Sequence, residues 1–390
     1  MKAITNGRFI IPNENGDFYI NENIAIIFDE TILSVVPKDS INSQKFEGIV
    51  DAKGKFVSPG FINIHIHGCV GYDTMDNDDN ALYQMRKFLP SNGVTNFLPT
   101  TMTMPMNQIH NALSQIRKAM NIDIGAKILG ANLEGPFINE KFKGAQAEEN
   151  IKPANFTYIA NFSDIIKIIT VAPEKFSDLE FLNQCHENNI IVSIGHSAAD
   201  YDMTINLIHN ENVKHITHLF NAQTGLHHRK PGIVGAALDS DAIVEIIADN
   251  VHVHPAAQRL VYKVKDHNEI ILITDSLRAC GLGDGIYDLG GQKVFVKGEL
   301  ATLSDGTIAA SVATMNKVVN NFKNNTNIDI ASAVELVTKN PATELGMYDK
   351  IGSLEVCKSA DIIIFDENIN IKMAIVNGKI RYPFDYILTK

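Results

Sequence analysis

The chain of 390 residues contains no run approaching the ~20 continuous apolar residues that span a bilayer, so no transmembrane segment is expected. It has only 4 cysteines, Cys69, Cys185, Cys280 and Cys357. They lie far apart and form no C-x-x-C pair, unlike the dense framework of a small secreted domain. Positive charge is scarce: 34 Lys+Arg against 45 Asp+Glu leave a formal charge of −11. That balance argues against general affinity for nucleic acid or an anionic membrane, while a local basic pocket for a small anion stays compatible with it. No G-x-G-x-x-G or G-x-x-x-x-G-K follows any apolar run, so a Gly-rich phosphate loop is not expected. Met1-Lys2-Ala3-Ile4-Thr5-Asn6-Gly7 lacks the apolar core of a secretion signal, and a cytoplasmic location is expected.

With 45% hydrophobic and 20% charged residues, the composition is that of a packed globular protein. The length predicts two folding units, one of them large. The first fifty residues read as short strands, Arg8–Ile11, Asn23–Phe28 and Thr31–Val36, separated by turn-forming Asn, Gly and Asp. From about Gly60, β-rich runs alternate with segments of helical spacing. Strands are predicted at Phe61–His67, Val94–Thr100, Lys127–Leu133, Ile165–Val171, Ile190–Ile194, His215–His218, Ala242–Ala248 and Glu269–Thr274. Helices are predicted at Asn80–Phe88, Met106–Met120, Leu179–Asn188, Tyr201–His209 and Pro255–Val264. Eight such strands match the count of a (β/α)8 TIM-type barrel; an open doubly wound sheet is the second choice. The chain returns to strands at Ile362–Asp366, Ile371–Val376 and Lys379–Arg381, with Asn377-Gly378 as a hairpin turn. An α/β barrel over 58–348 is therefore expected, with a β-hairpin insertion near 287–309. A small β-sandwich domain is expected from 1–57 plus 349–390.

In such a barrel, catalytic groups stand at the C-terminal ends of the strands. His65 and His67 end the first predicted strand and Glu134 lies just past the third; His196 follows the fifth, His218 ends the sixth and Asp275 follows the eighth. Alternate strand residues share a face, so both imidazoles of His65-Ile66-His67 can hold one ion. Each residue alone is equivocal, because paired histidines also occur in polar cores and Glu134 or Asp275 can serve as a loop or capping carboxylate. Six at one rim favour a metal site, with zinc or iron suited to imidazole and carboxylate together. Arg229 and Lys230, in Leu226-His227-His228-Arg229-Lys230-Pro231-Gly232, read either as a solvated charge run or as a phosphate clamp.

The stretches PGFINIHIHG (59–68), NLEGPFIN (132–139), GHS (195–197), THLFNAQTGLHHRKPG (217–232), TDSLRACGLGDGIYDLGG (274–291) and NPATELG (340–346) closely resemble the N-acetylglucosamine-6-phosphate deacetylase family of the amidohydrolase superfamily. The resemblance implies hydrolysis of the 2-acetamido group to glucosamine 6-phosphate and acetate, by metal-activated water with Asp275 as general base and then general acid. It implies that Glu134, His196 and His218 hold the principal ion and that His65 and His67 add a second, giving one or two divalent ions per subunit. It places Ala145, Gln146, Asn221, Ala222, Arg229 and His252 around the sugar phosphate, and it implies a homodimer in which Arg229 reaches the partner active site. The chain departs from the family at three points: Gln146 stands where some members have histidine, Asn250 follows Asp249 where glycine is usual, and Ala310 replaces glycine before Ser311. These departures leave open N-acetylgalactosamine 6-phosphate as substrate. A cyclic amidohydrolase is a further alternative, although Lys167 sits too early to be its bridging lysine. A non-enzymatic metal-stabilised scaffold is the remaining one.

Overall fold

Residues 1–41 and 46–383 are described by a computed structural model. Its middle rests on parallel strands that are almost wholly buried, as coverage on both faces requires. Phe61–Ile66, Val94–Pro99 and Lys127–Ile128 form a three-stranded parallel sheet. Ala131–Glu134, Ile166–Val171, Ile191–Ile194, His215–Ile216, Ile243–Ile247 and Ile270–Ile273 form a six-stranded parallel sheet in chain order. Hydrogen bonds join the two sheets at two places. At one, Thr101 N–H donates to Asn132 O at 3.0 Å; at the other, Asp275 N–H donates to His65 O at 3.0 Å and His67 N–H to Ser276 O at 2.9 Å. Isoleucines 62, 64, 168, 247, 271 and 273 of both sheets share one apolar cluster.

Two predicted strands depart from their apolar patterns by more than a fraying end residue. Lys127–Leu133 breaks at Gly130, where φ is 152° and an added Cβ would lie 2.5 Å from the Ile165 carbonyl oxygen. His215–His218 leaves the ladder after Ile216, because the His218 N–H donates to the Glu245 carboxylate at 3.1 Å instead. The helices follow their periodicity. Met106–Ala119 buries Ile109, Ala112, Leu113 and Ile116, an i, i+3, i+4, i+7 stripe. Asp78 and Asp200 cap Asp79–Phe88 and Tyr201–Asn210 by accepting from Asn80 and Met203 N–H groups. Among the described residues, no helix is long and apolar enough to cross a membrane.

The two ends of the chain meet in one six-stranded sheet, in which Ile362–Phe365 pairs antiparallel with Phe56–Pro59 and the hairpin Ile371–Val376/Lys379–Tyr382 continues the edge. Asn377 and Gly378 adopt φ of 50° and 72° in its turn, the left-handed geometry that Asn-Gly favours. Lys2–Thr5, Ile24–Phe28, Ile32–Pro37 and Gly48–Asp51 form a second, four-stranded sheet. One apolar cluster joins the sheets through Ile4, Phe28, Val57, Ile362 and Ile375. Residues 42–45 and 384–390 of the expected terminal β unit lie outside the described residues.

Where a hairpin was expected near 287–309, Gly285–Leu289, Gln292–Lys297 and Leu300–Thr302 form three antiparallel strands. Their inner side chains, Leu289, Val294, Val296 and Ala301, pack with Met102 and Leu277.

Candidate metal centre

The six rim residues read from the sequence converge. Ligand atoms of His65, His67 and Glu134 form one group lying within 4.8 Å of one another, and those of Glu134, His196 and His218 form a second. Glu134 belongs to both. Its Oε1 lies 3.1 Å from His196 Nε2 and 3.0 Å from His218 Nε2, while Oε2 lies 3.2 Å from His67 Nε2. Asp275 Oδ1 is 3.1 Å from His67 Nε2 and 3.5 Å from His65 Nε2.

Local backbone geometry aims these groups. His196, His218 and Asp275 have φ of 48°, 28° and 47°. The left-handed region costs an L-residue about 1–2 kcal/mol, and it turns each side chain off its strand end toward the common centre.

Around the rim, hydrogen bonds set the imidazole tautomers. His196 Nδ1–H donates to Phe142 O at 2.9 Å, His67 Nδ1–H to Thr100 O at 3.3 Å and His65 Nδ1–H to Glu245 Oε2 at 3.0 Å. Each then presents Nε2 to the centre. A lone pair facing a carboxylate is repulsive unless a proton or a cation lies between them. His65 Nε2 and Asp275 Oδ1 are buried without an aligned hydrogen-bond partner among the described residues. Orphaned acceptors, imidazole nitrogens and a shared carboxylate are a donor set that a divalent ion satisfies.

The electrostatics agree. Burial alone would raise the Glu134 carboxyl pKa, but His196, His218 and His65 outweigh burial and hold it well below its ordinary value. Burial alone would lower the His67 imidazole, yet Asp275 and Glu134 push it up to about 10. The centre is thus built to keep positive charge among its carboxylates, whether as protons or as an ion.

A cavity of about 300 Å³ opens over this centre. His67, Glu134, His196, His218 and Asp275 reach it, together with the expected contacts Ala145, Gln146, Asn221, Ala222 and His252; Met102, Leu289 and Ile308 supply an apolar side. Gln146 accepts from Thr103 N–H at 2.7 Å through Oε1 and donates from Nε2 to Glu134 Oε2 at 2.6 Å. The 285–302 sheet is tied to this wall where Gln292 donates to the Ala145 carbonyl. Asp249 receives the Val251 and His252 N–H groups at 2.9 and 2.8 Å and lies 2.7 Å from His252 Nδ1, which fixes that ring at the cavity wall.

Arg229 is not brought to this cavity. It is exposed, bonds His228 at 2.7 Å and lines a separate cavity of about 800 Å³ with Lys230, Asp200 and Asp202. Lys167 stands near the start of its strand, away from the rim. Asn250, at φ 70°, turns outward to Gln258 and Asn325, whereas Ala310, at φ 55°, lines the cavity.

Sequence reasoning gave no role to Glu245 or Asp249, and both touch residues of the site. The signal for Glu245 is a lone carboxylate in the apolar strand Ile243-Val244-Glu245-Ile246-Ile247, a position that is costly unless the charge is paired.

Residues 56–381 match the family model described as the amidohydrolase family. N-acetylglucosamine-6-phosphate deacetylase of Bacillus subtilis (strain 168) is 39% identical over 333 residues, covering 83% of this chain and 84% of that protein. N-acetylgalactosamine-6-phosphate deacetylase of Escherichia coli O157:H7 is 32% identical over 338 residues, covering 85% and 89%. The crystal structure of N-acetylglucosamine-6-phosphate deacetylase from Pasteurella multocida superposes with a TM-score of 0.91 at 28% identity, covering 97% of this chain and 99% of that one.

Proposed function

Because this chain belongs to the amidohydrolase family, we propose that it hydrolyses the acetamide of N-acetylglucosamine 6-phosphate to glucosamine 6-phosphate and acetate. The observation that carries this reading is the convergence of Asp275 with two three-residue donor groups sharing Glu134, at the floor of a cavity of about 300 Å³. The names of its relatives support the substrate.

Glu134, His196 and His218 would hold one divalent ion, zinc or iron, and His65, His67 and Glu134 a second. Such an ion supplies Lewis acidity, which brings water ionisation into the neutral range. Asp275 takes the proton of the attacking water and returns it to the departing nitrogen, acting as base and then acid. His252, Asn221 and the Ala222 backbone orient the sugar phosphate, an effect of position. Ala145 and Gln146 bound the acetamide side.

In the same reading, the two parallel sheets are sectors of one (β/α)8 barrel over 58–348, carrying the 285–302 sheet as an insertion. The terminal sheets are a small β-sandwich from 1–57 and 349–390. The protein works in the cytoplasm as a homodimer in which Arg229, remote from its own cavity, completes the partner's site.

The test is acetate release from N-acetylglucosamine 6-phosphate by purified protein, before chelation, after chelation, and after Zn²⁺ or Fe²⁺ is restored. Metal-dependent release supports the reading. Absence of release under every metal condition overturns it. The N-acetylgalactosamine epimer belongs in the same assay, because a relative acting on it is 32% identical; preference for that epimer would reassign the substrate and keep the chemistry.

A further inference from the structure

A buried chain of alternating carboxylates and imidazoles leads away from the metal centre. Glu245 is fully buried in the strand Ile243–Ile247. Its Oε2 accepts from His65 Nδ1–H at 3.0 Å and from the His218 backbone N–H at 3.1 Å. Its Oε1 lies 3.2 Å from Nε2 of His215, which is also fully buried. Nδ1 of His215 lies 2.9 Å from Glu344 Oε1. Beyond it a surface cavity of about 690 Å³ is lined by His215, Glu344 and Lys214, at the opposite ends of the strands from the metal centre.

One oxygen atom of Glu245 therefore touches both donor groups. It fixes the ring of His65, from the first group, and the peptide of His218, from the second, whose φ of 28° needs a partner to hold it. A carboxylate behind a ligating imidazole sets the ring's tautomer and direction. His215 meets a carboxylate at each nitrogen, so both nitrogens donate, and the ring braces Glu245 from behind without touching any candidate ligand.

We propose that Glu245 is the positioning residue that sets the two donor groups relative to each other, and that His215 positions Glu245. This inference rests on the metal reading above and adds a residue pair to it.

The experiment is titration of metal-stripped full-length protein with Co²⁺, read by the visible d–d absorption, for the wild type and for Glu245→Gln, Glu245→Leu and His215→Gln. The melting temperature of each metal-free protein is measured beside it. Glu245→Gln keeps shape and acceptor, so it guards against a Glu245→Leu chain that fails to fold. Expected are a loss of Co²⁺ affinity of about 10- to 100-fold and an altered band intensity in Glu245→Gln. His215→Gln should show a smaller loss in the same direction, although it touches no ligand. In turnover with restored metal, kcat should fall while KM for the sugar phosphate holds. Isotherms and spectra of Glu245→Gln and His215→Gln that superimpose on the wild type overturn the positioning role and leave the metal reading standing. A wild type that takes up no Co²⁺ overturns both.

Discussion

Gln146 and Glu134 are joined by a 2.6 Å hydrogen bond whose direction is set from outside the pair, because the Thr103 N–H occupies the other end of the amide. The amide cannot flip without presenting its NH2 group to a backbone donor. The Gln146 side chain thus spends one of its two amide N–H groups on Glu134. Gln146→Leu removes that donor from a buried carboxylate. A hydrogen bond to a charged group contributes about 1.5–3 kcal/mol, so kcat/KM for acetate release should fall about 10- to 100-fold. Steady-state kinetics check this, with unchanged values refuting the clamp.

Asp275 is the carboxylate with an orphaned oxygen facing the centre. Asp275→Asn keeps the shape and loses the base. Turnover should drop by about 10²–10⁴-fold while metal content, measured by elemental analysis, stays at the wild-type level.

Arg229 is exposed and away from its own cavity. If it serves a partner subunit, Arg229→Ala should raise KM about 10- to 100-fold, the worth of a charged hydrogen bond, and leave kcat nearly unchanged. Wild-type specific activity should also decline on dilution below the dimer's dissociation constant. An unchanged KM would remove Arg229 from the site.

Ala310 lines the cavity at φ 55°, a backbone that is costly for an alanine. Ala310→Gly relieves a left-handed alanine and should stabilise the fold by about 1 kcal/mol after the extra backbone freedom of glycine is counted. Thermal or urea unfolding reads the difference. Asn250 has the same kind of backbone, but asparagine tolerates it, so Asn250→Gly should gain less.

His215 carries a pH signature. Burial lowers its pKa, and the bonds to Glu245 and Glu344 outweigh that and raise it to about 9. Since the folded value exceeds the unfolded value of about 6.5, the native state binds the extra proton between them. The stabilisation is complete below about pH 6.5 and is lost as pH rises through about 9. Melting temperature should therefore fall across that window, and His215→Gln should flatten the slope.

The rim was legible because strand ends and an i, i+2 histidine pair are local patterns: His65, His67, Glu134, His196, His218 and Asp275 could each be placed by counting to the end of an apolar run. The helix stripes were legible for the same reason. Strands Lys2–Thr5, Gly48–Asp51 and Phe56–Pro59 were missed, since each is four residues long and owes its form to pairing with distant strands. Glu245 was missed because its reason for being buried lies 180 residues earlier, at His65. Gly130 looked like a strand residue until the Ile165 carbonyl arrived beside it.

The pairing of Phe56–Pro59 with Ile362–Phe365 also has a consequence in time. A ribosome adds roughly 5–20 residues per second, so about 15–60 seconds separate the synthesis of these two strands. Through that interval Phe56–Pro59 keeps one edge open, and an open apolar edge invites pairing with another nascent chain. Completion of the terminal β layer is thereby a late event. A chain stalled before Ile362 would be prone to aggregate even with every residue of the metal centre already made.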